Sequence, residues 1–377
     1  MHVALNARIL QAPRTGIGQY VSALTRALQQ QAEVSLQLFL GRQWAVDLPP
    51  APMPGYSRRS ALAKRVPGAY RIRRWLEQGS FDRGLRQRAV DLYHEPSLWP
   101  LEFDGPMVMT LHDLTHVHYP HTQPADRLAE IERHVGRGVE RAQVVLADSE
   151  HVAGEIRRHF ALADDRVVVA PLGYAERFRP RSGAELASTL ASFGLSAGQY
   201  LICVGTLEPR KNLQLALRAH AQLPAALRTR LPLVIVGMPG WRNEGLDETL
   251  DTGVKGGWAK VLGYQSDDVL AELLAGAKAL LFPSLYEGFG LPVLEGMASG
   301  VPVLLTRTSS LPEVAGEAGI YVDAHDPQEM CSALQELVDD SSLGQRCRVL
   351  GLERARDFSW ERCARITSEA YRKAVGG

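Results

Sequence analysis

Short apolar runs, each closing on a polar residue or glycine, recur along the whole chain and alternate with segments of helical periodicity. A chain patterned this way folds as buried parallel strands covered by helices, an α/β architecture. In the first half the runs are Val3 to Ala7, VSLQLFL, VDLYHEP, GPMVMTLHD and AQVVLADS. A helix is expected from Gly16, because Tyr20, Leu24 and Leu28 recur on one face. The stretch Gly173 to Gly183, GYAERFRPRSG, is poor in strand signals and reads as a linker. Beyond it the pattern restarts with QYLICVG, LPLVIVG, AKVLG, ALLFPS, VPVLLT and GIYV. Two successive sets predict two doubly wound, Rossmann-like domains, residues 1–175 and 176–357, with ligands at the carboxyl ends of the strands. The length of 377 residues agrees with two domains at roughly 150 residues each. The last segment, Phe358 to Ala374, reads as one amphipathic helix.

Composition removes several classes of function. Lys+Arg and Asp+Glu both number 42, so the chain lacks the basic excess of a nucleic-acid-binding protein. Cys203, Cys331, Cys347 and Cys363 lie far apart with no CxxC pair, which predicts buried or helical thiols in a reducing compartment. The opening MHVALNARIL has no long apolar core, and no apolar run approaches the ~20 residues of a spanning helix. The cytoplasm is the expected location.

Three strand ends carry the chemistry. In VGTLEPRKNL, Arg210 and Lys211 stand at a helix start, where guanidinium, ammonium and free backbone N–H groups converge on an anion. A solvated Arg-Lys pair is the plain alternative. In FPSLYEGFGLPVLEGMASGVPV, Glu287 lies in a loop, and Gly288 and Gly290 let the backbone approach a ligand closely. A helix is expected from near Leu291, with Glu295 roughly 6 Å further along it at ~1.5 Å per residue. Two glutamates on one loop-helix unit suit grasping two parts of one ligand. In the first half, RTGIGQY places Gly16 and Gly18 at a helix start; Val21 stands where a dinucleotide fingerprint needs its third glycine. His112, His116, His118 and His121 crowd into TLHDLTHVHYPH, yet ligands on an irregular loop rarely converge by proximity alone, so no metal is expected. Ser149 has the position of a helix cap.

The Arg-Lys strand end and the Glu287–x7–Glu295 block, with LGYQSDDVLAELLAGAKALLFPS and TSSLPEVAGEAGIYVDAHDP, resemble family 4 of the retaining glycosyltransferases across the whole second half. The resemblance implies the GT-B fold: two domains facing across a cleft, with a C-terminal helix, about 358–377, returning to the first. It implies that Arg210 and Lys211 neutralise the diphosphate of a nucleotide sugar. Glu287 would bind the sugar hydroxyls and Glu295 the ribose. The backbone of Phe289, Gly290 and Leu291 would line sugar and phosphate, and Gly263 and Tyr264 would bracket the base. It places Gly16 and Gly18 against donor phosphate or acceptor, and His112 with Asp113 beside the reacting sugar, His112 bonding a donor hydroxyl. No Asp-x-Asp occurs in the chain, which agrees with charge neutralisation by Arg210, Lys211 and helix dipoles in place of a divalent cation. The nucleotide sugar is then a co-substrate, and no cofactor is expected.

LNARILQAPRTGIGQYV and TLHDLTHVHYP look most like bacterial mannosyl- and rhamnosyltransferases of surface-polysaccharide assembly. That likeness implies GDP-mannose or a GDP-deoxyhexose such as GDP-rhamnose as donor, a UDP-sugar being the alternative. It implies an undecaprenyl-diphosphate-linked glycan as acceptor. Three other readings are weaker. A hydrolase or phosphorylase of the same fold, or a non-catalytic sugar-binding subunit, would lack the Arg-Lys and Glu-x7-Glu sets. A nicotinamide dehydrogenase is disfavoured by the broken glycine fingerprint.

One further segment stands out. Between Tyr56 and Arg88 ten cations, Arg58, Arg59, Lys64, Arg65, Arg71, Arg73, Arg74, Arg83, Arg86 and Arg88, face two acids, Glu77 and Asp82. Tyr56, Tyr70, Trp75 and Phe81 interleave with them. Such an arm can dock peripherally on the anionic inner face of the cytoplasmic membrane or hold a lipid diphosphate. An arginine-rich solvated helix is the plain alternative.

Overall fold

The computed structural model describes residues 1–12, 16–50, 69–122, 125–240 and 246–376. Of the basic arm, Tyr56, Arg58, Arg59, Lys64 and Arg65 fall outside them, as do Arg14 and Thr15 of the glycine loop. The chain divides into two compact units, Met1–His116 with Gln123–Leu172 and Trp360–Gly377, and Val117–Thr122 with Gly173–Ser359. The first unit therefore ends at Leu172, a few residues before 175, and the short Val117–Thr122 segment of the first half groups with the second.

The first unit is built on strands β1 (His2–Asn6), β2 (Ser35–Phe39), β3 (Trp44–Ala45), β4 (Leu92–Glu95), β5 (Met107–Leu111), β6 (Val144–Ala147) and β7 (Val167–Val169). They lie in the order β3-β2-β1-β4-β5-β6-β7. Every pairing is parallel except β2 with β3, where Leu38 faces Ala45 and Phe39 faces Trp44. Strands buried on both faces explain the continuous apolar runs: all residues of β4, β5 and β6 are buried. The helix Gly16–Gln29 buries Tyr20, Leu24 and Leu28, the stripe read from sequence. The helix Trp360–Gly376 packs on it and on β4, β5 and β6, so the C-terminal segment does return to the first domain.

β3 and β7 escaped the sequence pattern because two and three residues carry no period. Tertiary contacts define β3. The Trp44 ring stacks on Phe81 at 5.4 Å and tilts against Phe39 at 5.2 Å.

The second unit holds β8 (Leu201–Val204), β9 (Leu233–Val236), β10 (Ala259–Gly263), β11 (Ala279–Phe282), β12 (Val303–Thr306) and β13 (Gly319–Val322). These are the six runs read from sequence. Their order, β10-β9-β8-β11-β12-β13, is parallel throughout and reverses between β8 and β11. In an open parallel sheet, that reversal opens a crevice beyond the carboxyl ends of the two central strands.

No helix among the described residues is long and apolar enough to cross a membrane.

Candidate active site

The second unit gathers its charges at that reversal. β8 runs into a 3-10 turn, Pro209–Lys211, that presents Arg210 and Lys211. β11 runs into the loop that carries Glu287, and Leu285 N–H donates to the Arg210 carbonyl at 2.9 Å, joining the two strand ends. Lys211 Nζ donates to Glu287 Oε1 at 2.7 Å, and Arg210 Nη1 to Glu287 Oε2 at 2.9 Å. Arg210 also donates to Glu208 at 2.7 Å and to the Tyr286 carbonyl at 2.6 Å. Burial alone would raise the Glu287 pKa, but Arg210 and Lys211 outweigh it and hold the carboxyl at about 2.

Two cations and two carboxylates cancel within this cluster. A diphosphate recruited by Arg210 and Lys211 competes with Glu287 and Glu208 for their N–H groups, so backbone amides and a helix dipole must add to the attraction. The adjoining segment carries a helix start. Gly288 and Phe289 lead to Gly290, which caps the helix Leu291–Ala298 at φ +100°, a conformation that L side chains rarely adopt. A Cβ there would sit 2.7 Å from Leu311 Cδ2. Within the helix, buried Glu295 is held protonated up to about pH 8, by burial first and then by the Asp267 charge, with Arg177 opposing. Gly263 closes β10 with a left-handed φ of +67°, and Tyr264 follows the strand.

Two residues that the motifs did not single out hold the Glu287 backbone. Its N–H donates to Ser309 Oγ at 2.8 Å, and its carbonyl accepts from Ser310 Oγ at 2.9 Å. Ser309 adopts φ +47°, costly for a serine and retained because these bonds need it. The available signal was position: TSS follows β12, one strand beyond β11, at the carboxyl edge where ligands bind.

In the first unit His112 follows β5. Its Nδ1 lies 2.7 Å from Asp148 Oδ2, its Nε2 lies 3.1 Å from the Pro96 carbonyl, and its ring stands edge-on to Tyr20 at 4.6 Å. A carbonyl only accepts, so Nε2 carries a proton. Burial opposes charge on the ring, yet the Asp148 carboxylate, through space and through the hydrogen bond, more than offsets it and raises the His112 pKa. A sugar hydroxyl reaching Nε2 must displace the Pro96 carbonyl. Asp113 is engaged locally, accepting from the Thr115 N–H at 2.9 Å at the start of the turn Thr115–His118. Gly16 opens the helix Gly16–Gln29 with nothing within 4 Å of a Cβ position, whereas Gly18 is buried.

Asp148 and Glu95 were also missed by motif. Both lie at strand ends beside named elements, Asp148 after β6 and Glu95 closing β4. Glu95 is fully buried, accepting from Asn6 Nδ2 at 2.7 Å and from the hydroxyls of Tyr93 and Ser97, both at 2.5 Å. The four loop histidines have separate surroundings. His112 meets Asp148, His118 meets the Tyr286 ring at 5.6 Å, His121 meets Tyr119 at 6.1 Å, and His116 is buried. Among the described residues no three His, Cys, Asp or Glu side chains form a metal-ligand group. Ser149 caps the helix Glu150–Phe160, accepting from Val152 N–H at 3.2 Å.

Two doubly wound sheets, the second with cations and a glutamate at its topological reversal, make up the fold of the GT-B glycosyltransferases. Solved structures share the fold. A lipopolysaccharide glycosyltransferase, WaaG, matches with a TM-score of 0.72 at 17% identity over 100% of both chains. A sucrose-phosphate synthase from Thermosynechococcus elongatus matches with a TM-score of 0.75 at 20% identity over 98% of both. By sequence, residues 14–176 match the model described as Glycosyltransferase Family 4, and residues 198–340 match that described as Glycosyl transferases group 1. The O-antigen chain mannosyltransferase B of Escherichia coli is 33% identical over 379 residues, 99% of this chain and 100% of that protein. The chain belongs to glycosyltransferase family 4, and it is a glycosyltransferase.

Proposed function

We propose that this enzyme transfers a mannose- or rhamnose-type hexose from a GDP-sugar to a lipid-linked glycan in O-antigen assembly, with retention and without a divalent cation. The single observation carrying the reading is the Arg210–Glu287–Lys211 constellation at the β8/β11 reversal. It offers cations to a diphosphate and a fixed carboxylate to sugar hydroxyls. The full-length likeness to an O-antigen mannosyltransferase supports the sugar and the pathway class.

In the reaction the anomeric carbon–oxygen bond to the diphosphate breaks, and a bond from that carbon to the acceptor hydroxyl oxygen forms on the same face. The hydroxyl proton passes to a donor phosphate oxygen. Arg210 and Lys211, helped by the Leu291–Ala298 helix dipole, stabilise the charge growing on the leaving group. Glu295 would accept from the ribose hydroxyls, and His112 would bond a donor-sugar hydroxyl.

Melting the protein against nucleotides and nucleotide sugars, with EDTA present throughout, tests this. A ligand at one hundred times its Kd stabilises by ~2.7 kcal/mol. GDP and GDP-mannose or GDP-rhamnose should raise Tm, and UDP and ADP should not. A shift with UDP-sugars alone would reassign the donor, and none with any nucleotide would overturn the reading.

A further inference from the structure

Among the described residues, the cations of the basic arm fall into two sets. Arg73 bonds Glu77 at 2.7 Å, Arg74 donates to the Pro100 carbonyl at 2.5 Å, and Arg88 lies over the Trp44 ring at 5.1 Å. These three are engaged by the protein. The helix Ala69–Leu85 is locked by its inner face, where Phe81 is fully buried against Trp44 and Phe39, and Glu77 is buried beside Arg8. A Cβ on Gly84 would overlap the Trp44 indole.

The opposite face has an unusual composition. Ile72 is 61% exposed, Trp75 74% and Leu76 43%. Gly79, Arg83 and Arg86 are exposed too. At ~100° per residue, the five within the helix project within an arc of about 100°, and Arg86 lies in the turn just past its end. The stripe is aromatic and aliphatic over its first two turns and cationic over its end. Large apolar side chains grouped on a solvent face mark an interaction surface, unlike singly scattered ones.

We propose that this stripe seats the enzyme on an anionic phospholipid bilayer, with the Ala69–Leu85 helix lying flat on it. Indole and aliphatic side chains enter the headgroup–acyl boundary, while guanidinium groups meet lipid phosphates. Charge complementarity selects the occupant: Arg83 and Arg86 are exposed beside the apolar side chains, in an arm whose sequence carries ten cations against two acids within a neutral chain. The surface does not depend on the identity of the donor.

Co-sedimentation of the full chain with vesicles tests it. The protein should bind phosphatidylglycerol vesicles, bind pure phosphatidylcholine weakly, and dissociate as salt is raised. Replacing Arg83→Gln and Arg86→Gln together should lower partition about 25-fold, five-fold for each ~1 kcal/mol surface cation. Trp75→Ser should lower it at least roughly ten-fold, the low end for burying a large apolar side chain. All variants should keep the wild-type circular dichroism and the same nucleotide-induced rise in Tm, so failure here is separable from failure of the donor reading. Absent binding, equal binding to both lipids, or equal binding by every variant overturns the proposal. Stripe variants that change oligomeric state by light scattering, without vesicle binding, would assign the face to a second copy of the chain and overturn it as well.

Discussion

Glu287 and Glu295 stand eight positions apart, and their environments drive them in opposite directions. Two cations hold the Glu287 pKa down at about 2, whereas burial and a neighbouring carboxylate keep Glu295 protonated to about 8. For Glu295 the sign is unambiguous. The folded state holds its proton between the ordinary carboxylate range near ~4.3 and about 8, where the unfolded chain has released it. Stability from this site therefore falls as pH rises across that window. Ribose hydroxyls are better donors to a carboxylate than to a carboxylic acid, so nucleotide affinity should rise with pH. With a midpoint of about 8 the ionised fraction grows roughly ten-fold between pH 7 and 9, and affinity should follow. Titration calorimetry of wild type and Glu295→Gln checks this, the variant being expected to show a flat profile. A flat wild type would remove the ribose role.

At the scale of elements, the proposed chemistry sits on loops leaving the carboxyl ends of β8, β11 and β12, and their backbone is set by a few demanding residues. Ser309 and Gly290 both adopt positive φ, one to bond the Glu287 N–H, the other to start the Leu291–Ala298 helix. Gly290→Ala combines a strained φ with a contact at 2.7 Å to Leu311. It should cost about 1–3 kcal/mol. The expected result is a Tm lower by several degrees, with transfer activity falling further than stability accounts for. Thermal melts paired with a transfer assay read both. Unchanged activity would show that the loop amides do not shape the donor site.

For the whole molecule, the C-terminal helix closes the core of the first unit. Tyr371 is fully buried, and its hydroxyl lies 2.7 Å from His94 Nδ1, while His94 Nε2 lies 2.8 Å from Thr110 Oγ1. Burial depresses the His94 pKa to about 3, so the ring is neutral in the fold. The unfolded chain protonates it near ~6.5, so this site loses stability as pH falls from there towards 3. Tyr371→Phe leaves a buried ring nitrogen without its partner and should destabilise by about 1–3 kcal/mol. Urea denaturation followed by tryptophan fluorescence measures it. A change below ~0.5 kcal/mol would show that packing alone holds the helix.

The strands longer than three residues, the Tyr20–Leu24–Leu28 stripe, the C-terminal helix and the Arg210, Lys211, Glu287 and Glu295 positions could all be read from the chain, because each rests on local spacing. β3 could not, since two residues have no period and the distant Phe81 ring, stacked on Trp44, secures the strand. Nor could Asp148 beside His112, or Ser309 and Ser310 behind Glu287, whose partners are 36, 22 and 23 residues away. The basic arm shows the division best. Sequence supplied its charge, but side-chain packing decided that Arg74 and Arg88 turn to the protein while Trp75, Arg83 and Arg86 face outward. Periodicity fixes which residues share a face; only the neighbours that cover one face decide which residues remain for solvent and partners.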